Sequence, residues 1–305
     1  MELRHNSAKT EYTRKGTEGH PPLTMANLSN RERQRLTVIA ASRGWFSSPL
    51  LEVWRYRYLL WVLVWRDIKV RHKQTVLGVI WAILQPFLTM IVFTFVFGRL
   101  AKVPSGDVPY PVFFFCGLLP WQLFASGVVR STNSLVENRY LVTRVYLPRL
   151  VLPAAAVLGG LPDFIVAFVL LLAIMAYYGI MPSLAILGVL PLLILLVATA
   201  LAVGLFLAAL NVRYRDVGYA VPFLIQLWFL MTPVAYPTIL APSRWQFLYE
   251  LNPITSVVDG FRWVLLGSRG APGTLNMFSV LAAVGALMLG LFYFQHVERT
   301  FADVV

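Results

Sequence analysis

A chain of 305 residues that is 58% hydrophobic and 13% charged is too oily for a water-soluble domain, where about 45–50% apolar and about 25% charged residues are usual, and membrane residence follows. A disordered chain, poor in apolar residues, is excluded, and so is a disulfide scaffold, because Cys116 is the only cysteine. Lys and Arg number 26 against 14 Asp and Glu, a net +12 that fits nucleic acid, acidic lipid or membrane topology until its distribution along the chain is read.

The first 75 residues hold fourteen of the 26 Lys and Arg and six of the fourteen Asp and Glu. Residues 1–50 read as a mobile basic cytoplasmic extension, since the extreme N-terminus is charged but has no apolar run of the kind a signal peptide needs. Ser29 and Glu32 have capping-box spacing, so a short helix can start there. Aromatic stacking platforms and recognition motifs are missing from this segment, and no nucleic-acid partner is expected.

Residues 51–65 place Trp54, Tyr58, Trp61 and Trp65 on one helical face at spacings of 4, 3 and 4, with Arg55, Arg57 and Arg66 able to snorkel to phosphates. About fifteen residues are too few to cross a bilayer. They suit a helix lying in the cytoplasmic interface against anionic lipid. The charged run RDIKVRHK follows, so 51–75 is read as interfacial helix plus connector.

Six stretches can each supply the roughly 20 helical residues that ~30 Å of hydrocarbon requires: 76–98, 110–129, 155–178, 184–210, 217–234 and 275–294. The expected fold is an all-α integral membrane protein with six transmembrane helices over 76–294 and a cytoplasmic tail at 295–305. Pro86, Pro120, Pro162, Pro191 and Pro222 fall inside spans, where neighbouring helices can re-satisfy freed backbone groups, and kinks are expected. Counting only Lys and Arg near span ends, thirteen lie on the side of the N-terminus and five on the other. That bias puts both termini in the cytoplasm.

Motifs for chemistry are missing. No Lys follows a Gly, so a GxxxxGK[ST] phosphate loop is impossible, and DxxD, HExxH, CxxC and GxSxG are absent too. His5, His20, His72 and His296 lie far apart outside the spans, so neither a metal site nor a catalytic group is expected. Asp163 is the one acidic residue well inside a span, and a place near a helix N-terminus accounts for it.

Two joints carry patterns of their own. After the second span, Leu141 with Val145 and Val142 with Tyr146 are i, i+4 pairs on about two helical turns, Arg139, Arg144 and Arg149 supply charge, and Pro148 ends the helix. An exposed apolar side on a short cytoplasmic helix calls for a partner. Beyond the fifth span, Asn252 can cap a helix starting at Pro253 and Gly267 can end it. Val257, Phe261, Val264 and Leu265 give it one apolar stripe. At about fourteen residues it should lie in the outer interface or dip back as a re-entrant element.

Four stretches, RDIKVRHKQTVLGVIWAILQP (66–86), ENRYLVTRVYLPRLVLP (137–153), NVRYRDVGYAVPFLIQLWFLMTPVAYP (211–237) and LNPITSVVDGFRWVLLG (251–267), resemble in order the polysaccharide-exporting permeases of the type-2 ATP-binding-cassette superfamily. That group exports O-antigen, capsule and teichoic-acid polymers, and the resemblance covers roughly residues 52–295. It implies a multi-pass permease subunit of the bacterial inner membrane, a homodimer served by two copies of a separate ATPase subunit. The cargo implied is a lipid-linked polysaccharide, O-antigen type first, moved from the cytoplasm to the outer face. ATP and magnesium would act in the ATPase subunit, and this chain would hold no cofactor and be no enzyme. The implied coupling helix docks in the ATPase through Arg139, Tyr140, Leu141, Val142, Arg144, Val145 and Tyr146, with Arg213, Tyr214, Arg215 and Asp216 of the next inner joint as a second contact. The helix at 253–267 would be a short outer-face gate helix acting through Val257, Phe261 and Val264.

A sugar polymer presents hydroxyls and apolar ring faces, so its conduit should join aromatic walls to uncharged hydrogen-bonding groups. Gln85, Gln122 and Gln226 lie near the middles of spans one, two and five, with Phe87 and Trp228 at similar depth, and are the conduit candidates. Interhelix hydrogen-bond glue is the other reading of the glutamines. Aromatics nearer span ends, including Phe113, Phe114, Phe115, Tyr177, Tyr178, Phe292 and Phe294, read as interface belts. Two rival functions are weaker. A secondary carrier or flippase for a lipid-linked glycan needs ionisable coupling groups at membrane depth, and a membrane enzyme needs clustered acids or a phosphate site.

Overall fold

The computed structural model describes residues 53–73, 80–144, 147–240, 244, 249, 251–267 and 275–298. Every regular element among them is helical, which lets each backbone N–H and C=O in a span be satisfied within its own segment. In chain order these are α1 (Arg57–Lys73), α2 (Ile80–Phe93), a π-helical continuation of it (Thr94–Leu100), α3 (Tyr110–Glu137) and α4 (Arg139–Arg144). Then come α5 (Val151–Leu158), α6 (Leu161–Tyr177), α7 (Val189–Arg213), α8 (Asp216–Met231), α9 (Pro253–Leu266) and α10 (Leu275–Glu298). The extension at 1–50, its capping box at Ser29 and Glu32, and coupling candidates Val145 and Tyr146 lie outside the described residues.

Five helical runs are long and apolar enough to cross a membrane: Ile80–Leu100, Tyr110–Glu137, Val151–Tyr177, Leu184–Arg213 and Phe278–Glu298. They match predicted spans one to four and six. The predicted fifth span, 217–234, is the 16-residue α8, about 24 Å at 1.5 Å per residue and short of ~30 Å. Pro233 is the cause. The residue before a proline is driven out of the helical region, and Thr232 sits at φ −97°, ψ 133°. The third span differs from expectation too. It breaks at Gly159–Gly160 into α5 and α6, so Pro162 occupies the first turn of α6, where a missing N–H costs nothing.

Span two (α3) is the central post, with 78% of its apolar window buried against 11% for span one. Phe113, Phe114 and Phe115 are therefore core residues and not an interface belt, and Phe294 on α10 is buried as well. Tyr177 and Phe292 do stay exposed, as belt residues should. The largest core cluster runs from α3 to α6, α7 and α9. A second gathers Leu63 and Val64 of α1 with Leu150, Val151, Leu205 and Phe294.

Spans four and six approach closely. A Cβ added at Gly290 would stand 2.5 Å from the Ala202 carbonyl oxygen, with backbone as the obstacle. Small residues permit such packing in membranes. Gly290→Val is expected to destabilise the bundle by roughly 1–3 kcal/mol, read as a lower melting temperature of the purified protein, while Gly285→Val, which meets nothing within 4 Å, leaves it unchanged.

Candidate functional site

The α4 end of the bundle is organised around Asn138. It ends α3 and starts α4: its carbonyl accepts from Leu141 N at 2.9 Å and from Val142 N at 3.2 Å. Its side-chain Nδ2 donates to Ser134 O at 2.8 Å, and its Oδ1 accepts from Arg66 Nη2 at 2.9 Å. Arg66 also pairs with Asp67 at 2.8 Å, so this arginine fastens α1 to the elbow and does not snorkel. The helix α1 itself runs through the charged segment RDIKVRHK, so residues 66–73 are helix and not a connector. Trp54, Tyr58, Trp61 and Trp65 form the exposed stripe expected of an interfacial helix. Trp61 and Trp65 stack at 6.1 Å, Arg57 lies over Trp54 and Lys69 over Trp65.

On α4 the structure sorts the candidate docking residues into two groups. Tyr140 is 63% exposed, and the guanidiniums of Arg139 and Arg144 stand 5.6 and 5.4 Å from its ring centre. Leu141 and Val142 are half-buried and pack on the second core cluster. The apolar side of α4 thus already has a partner within the chain, and the exposed feature is a tyrosine between two arginines. Below it, Asp163 is ion-paired with Arg71 and lies 3.9 Å from Arg130. Arg71 Nη2 also donates to Gly159 O at 3.1 Å, at the break between α5 and α6. A side chain on Gly160 would collide with Arg130 Nη2 at 2.3 Å.

The α7–α8 joint is tied to the same region. Asn211, buried, donates through Nδ2 to Thr132 O at 3.0 Å and to Asn133 Oδ1 at 3.1 Å, and its Oδ1 accepts from Gly218 N at 2.8 Å. Arg213, Tyr214, Arg215 and Asp216 remain exposed around it. Asp216 lies in the first turn of α8, where a carboxylate favours the helix dipole.

At the opposite end, α9 has the predicted caps. Asn252 Oδ1 accepts from Ile254 N at 3.2 Å, and Gly267 closes the helix at φ 61°. The stripe faces the interior of the subunit. Val257, Phe261 and Val264 are buried in the subunit's own core, and Phe261 meets Phe164, in the middle of the third span, edge to face at 6.1 Å. Arg262, only 3% exposed, donates from Nη1 to Pro233 O and from Nη2 to Val234 O, both at 2.7 Å. Its guanidinium lies 3.8 Å above the Phe113 ring and 3.4 Å from Asp259. Thr238 Oγ1 donates to Asp259 at 2.5 Å, and Tyr110 Oη to Ala235 O at 2.7 Å. The Tyr236 and Tyr249 hydroxyls meet at 3.0 Å. Burial first, then that hydrogen bond, holds the Tyr236 phenol above its ordinary pKa.

The conduit candidates sit on three helices that converge on an aromatic cluster. Phe93 of α2 stacks on Phe114 of α3 at 4.6 Å and meets Phe229 of α8 at 5.6 Å. Trp228 is half-buried, edge to face with Phe124 at 5.1 Å. Gln85, Phe87 and Gln226 are exposed and Gln122 half-buried. None of the three glutamine side chains has a hydrogen-bond partner among the described residues, so no interhelix glue by them is seen there.

Residues 58–266 match the family model described as ABC-2 type transporter. The chain belongs to the ABC-2 type transporter family. An O-antigen export system permease protein of Myxococcus xanthus is 34% identical over 241 residues, 78% of this chain and 91% of that protein. One from Klebsiella pneumoniae is 29% identical over 252 residues, covering 81% and 95%. A polysialic acid transport protein of Escherichia coli is 25% identical over 236 residues, covering 77% and 91%. The matched region of this ABC-2 protein begins in α1 and ends with α9, so Tyr140, Asn138, Asn211 and Arg262 all fall inside it. Nothing close in sequence marks Asn138 or Asn211 as structural ties, because their cross-links reach segments 72 and 79 residues away. The only signal for Arg262 was a charge in the middle of a helix whose neighbours are apolar.

Proposed function

We propose that this ABC-2 protein is the permease subunit of an ATP-driven exporter, a homodimer worked by two copies of a separate ATPase subunit. Its cargo is a lipid-linked polysaccharide, O-antigen type first, carried from the cytoplasm to the outer face of the bacterial inner membrane. The observation that carries this reading is the match to O-antigen export permeases across 91–95% of their length. ATP and magnesium act in the ATPase subunit, and this chain contributes no catalytic group. Both termini and the α4 end face the cytoplasm, in keeping with the distribution of Lys and Arg.

Docking runs through Tyr140 with Arg139 and Arg144, the exposed group on α4, and Arg213 and Asp216 add a second contact. Asn138 bonds both to Ser134 of α3 and to Arg66 of α1, so displacement of α4 reaches the central span and the interfacial helix together. The conduit is lined by Gln85, Gln122, Gln226, Phe87 and Trp228 where two copies meet. An unsatisfied amide facing hydrocarbon costs several kcal/mol, which favours a wet or protein-lined setting for Gln85 and Gln226. Changing both to Leu should cut export severalfold without lowering the melting temperature, and unchanged export by a well-folded double variant would remove them from the path.

Reconstitution tests the whole. Vesicles holding the chain alone should move no lipid-linked glycan with ATP supplied, and vesicles that also hold the ATPase subunit should. Transport by the lone chain along a proton gradient would make it a carrier instead.

A further inference from the structure

The first span and α6 enclose a groove that shares only Phe87, at one end, with the conduit lining proposed above. Phe87, Ile91, Phe95 and Arg99, four residues apart along one face of the first span, form one wall, with Ala173 and Tyr177 of α6 opposite. Its volume is about 580 Å³, inside the roughly 300–1,000 Å³ of small-molecule sites. From Phe87 to Arg99 the helix rises ~18 Å, against ~15 Å for one leaflet of hydrocarbon. The groove is therefore as deep as a leaflet, apolar along its length, with a cation at the level of the headgroups. Tyr177 and Tyr178, edge to face at 5.3 Å, stand at that same end, where amphipathic rings settle at the interface. Arg99 is exposed and makes no ion pair among the described residues, and Lys102 follows it in the joint. The wall around Arg99 is the π-helical stretch Thr94–Leu100, a form of helix frequent at functional sites.

We propose that this groove is a binding site for an acidic glycerophospholipid. One acyl chain lies along Phe87, Ile91 and Phe95, and the phosphate sits on Arg99. Arg99, which gives the site its preference for acidic lipid, is no part of the conduit lining, and the site does not depend on which way the chain is inserted.

The full-length protein, assembled in nanodiscs of phosphatidylglycerol and phosphatidylcholine with identical chains, is extracted into mild detergent and its retained lipid is counted by mass spectrometry. Wild type should retain phosphatidylglycerol in preference. Arg99→Gln should reduce that preference about fivefold with an unchanged melting temperature. Ala173→Trp, which fills the groove from an exposed position, should lose both lipids there. The proposal fails if Arg99→Gln retains as much phosphatidylglycerol as wild type, or if wild type retains the two lipids equally. It also fails if wild type retains neither, which would mean that a second copy of the chain covers the groove.

Discussion

Arg262→Met is expected to lower the stability of the folded protein by about 2–5 kcal/mol, chiefly because it strands two buried carbonyl oxygens; the Asp259 side chain, 41% exposed, keeps access to water. The guanidinium is the only link that the described residues provide between α9 and the Pro233 and Val234 carbonyls. Both residues are buried, so their oxygens would be left without a donor or a route to water, at about 1–3 kcal/mol each. The planar fork of Arg reaches two carbonyls at once while its face lies on Phe113 at 3.8 Å. An ammonium cannot do both, so Arg262→Lys should recover only part of the loss. Thermal unfolding of the purified variants, with export alongside, reads the effect. A methionine variant that melts with wild type would show that Arg262 is not what holds α9 in place.

How far the sequence shows this depends on whether a residue's partner is near in sequence. The caps of α9 were legible because Asn252, Pro253 and Gly267 act on their own helix, and the aromatic face of α1 because its spacing is local. Arg262 read as an outer topology charge, since nothing near it in sequence reveals Phe113 above it or the carbonyls at 233 and 234. Phe113, Phe114 and Phe115 read as a belt for the same reason. Only the central position of α3 makes a span end into core. The short α8 was in principle readable: Thr232–Pro233 is a stop signal that apolar composition outweighed. Arg66 and Asp163 looked like a snorkelling cation and a helix-end carboxylate, and their partners Asn138 and Arg71 come from segments 72 and 92 residues away.

The second large effect belongs to Tyr140. Tyr140→Ala should weaken the complex with the ATPase subunit about 30-fold or more, because a central aromatic anchor at an interface is worth about 2 kcal/mol or more and 1.4 kcal/mol is tenfold. The side chain is exposed on a six-residue helix, so its truncation removes no core packing and the melting temperature should hold. Leu141→Ala separates docking from scaffolding: Leu141 packs on the cluster of Leu63, Val64 and Phe294, and its loss should lower stability while leaving affinity of the folded fraction nearly intact. Arg139 and Arg144 both lie over the Tyr140 ring, holding it in place through contacts worth about 0.5–1 kcal/mol each at an exposed site. Gln in place of both should therefore weaken docking less than Tyr140→Ala does, and adding it to Tyr140→Ala should change little further. Titration of the purified permease with its ATPase subunit measures all four. If Tyr140→Ala binds like wild type while Leu141→Ala does not, force enters through the buried side of α4, and the exposed tyrosine is not the handle.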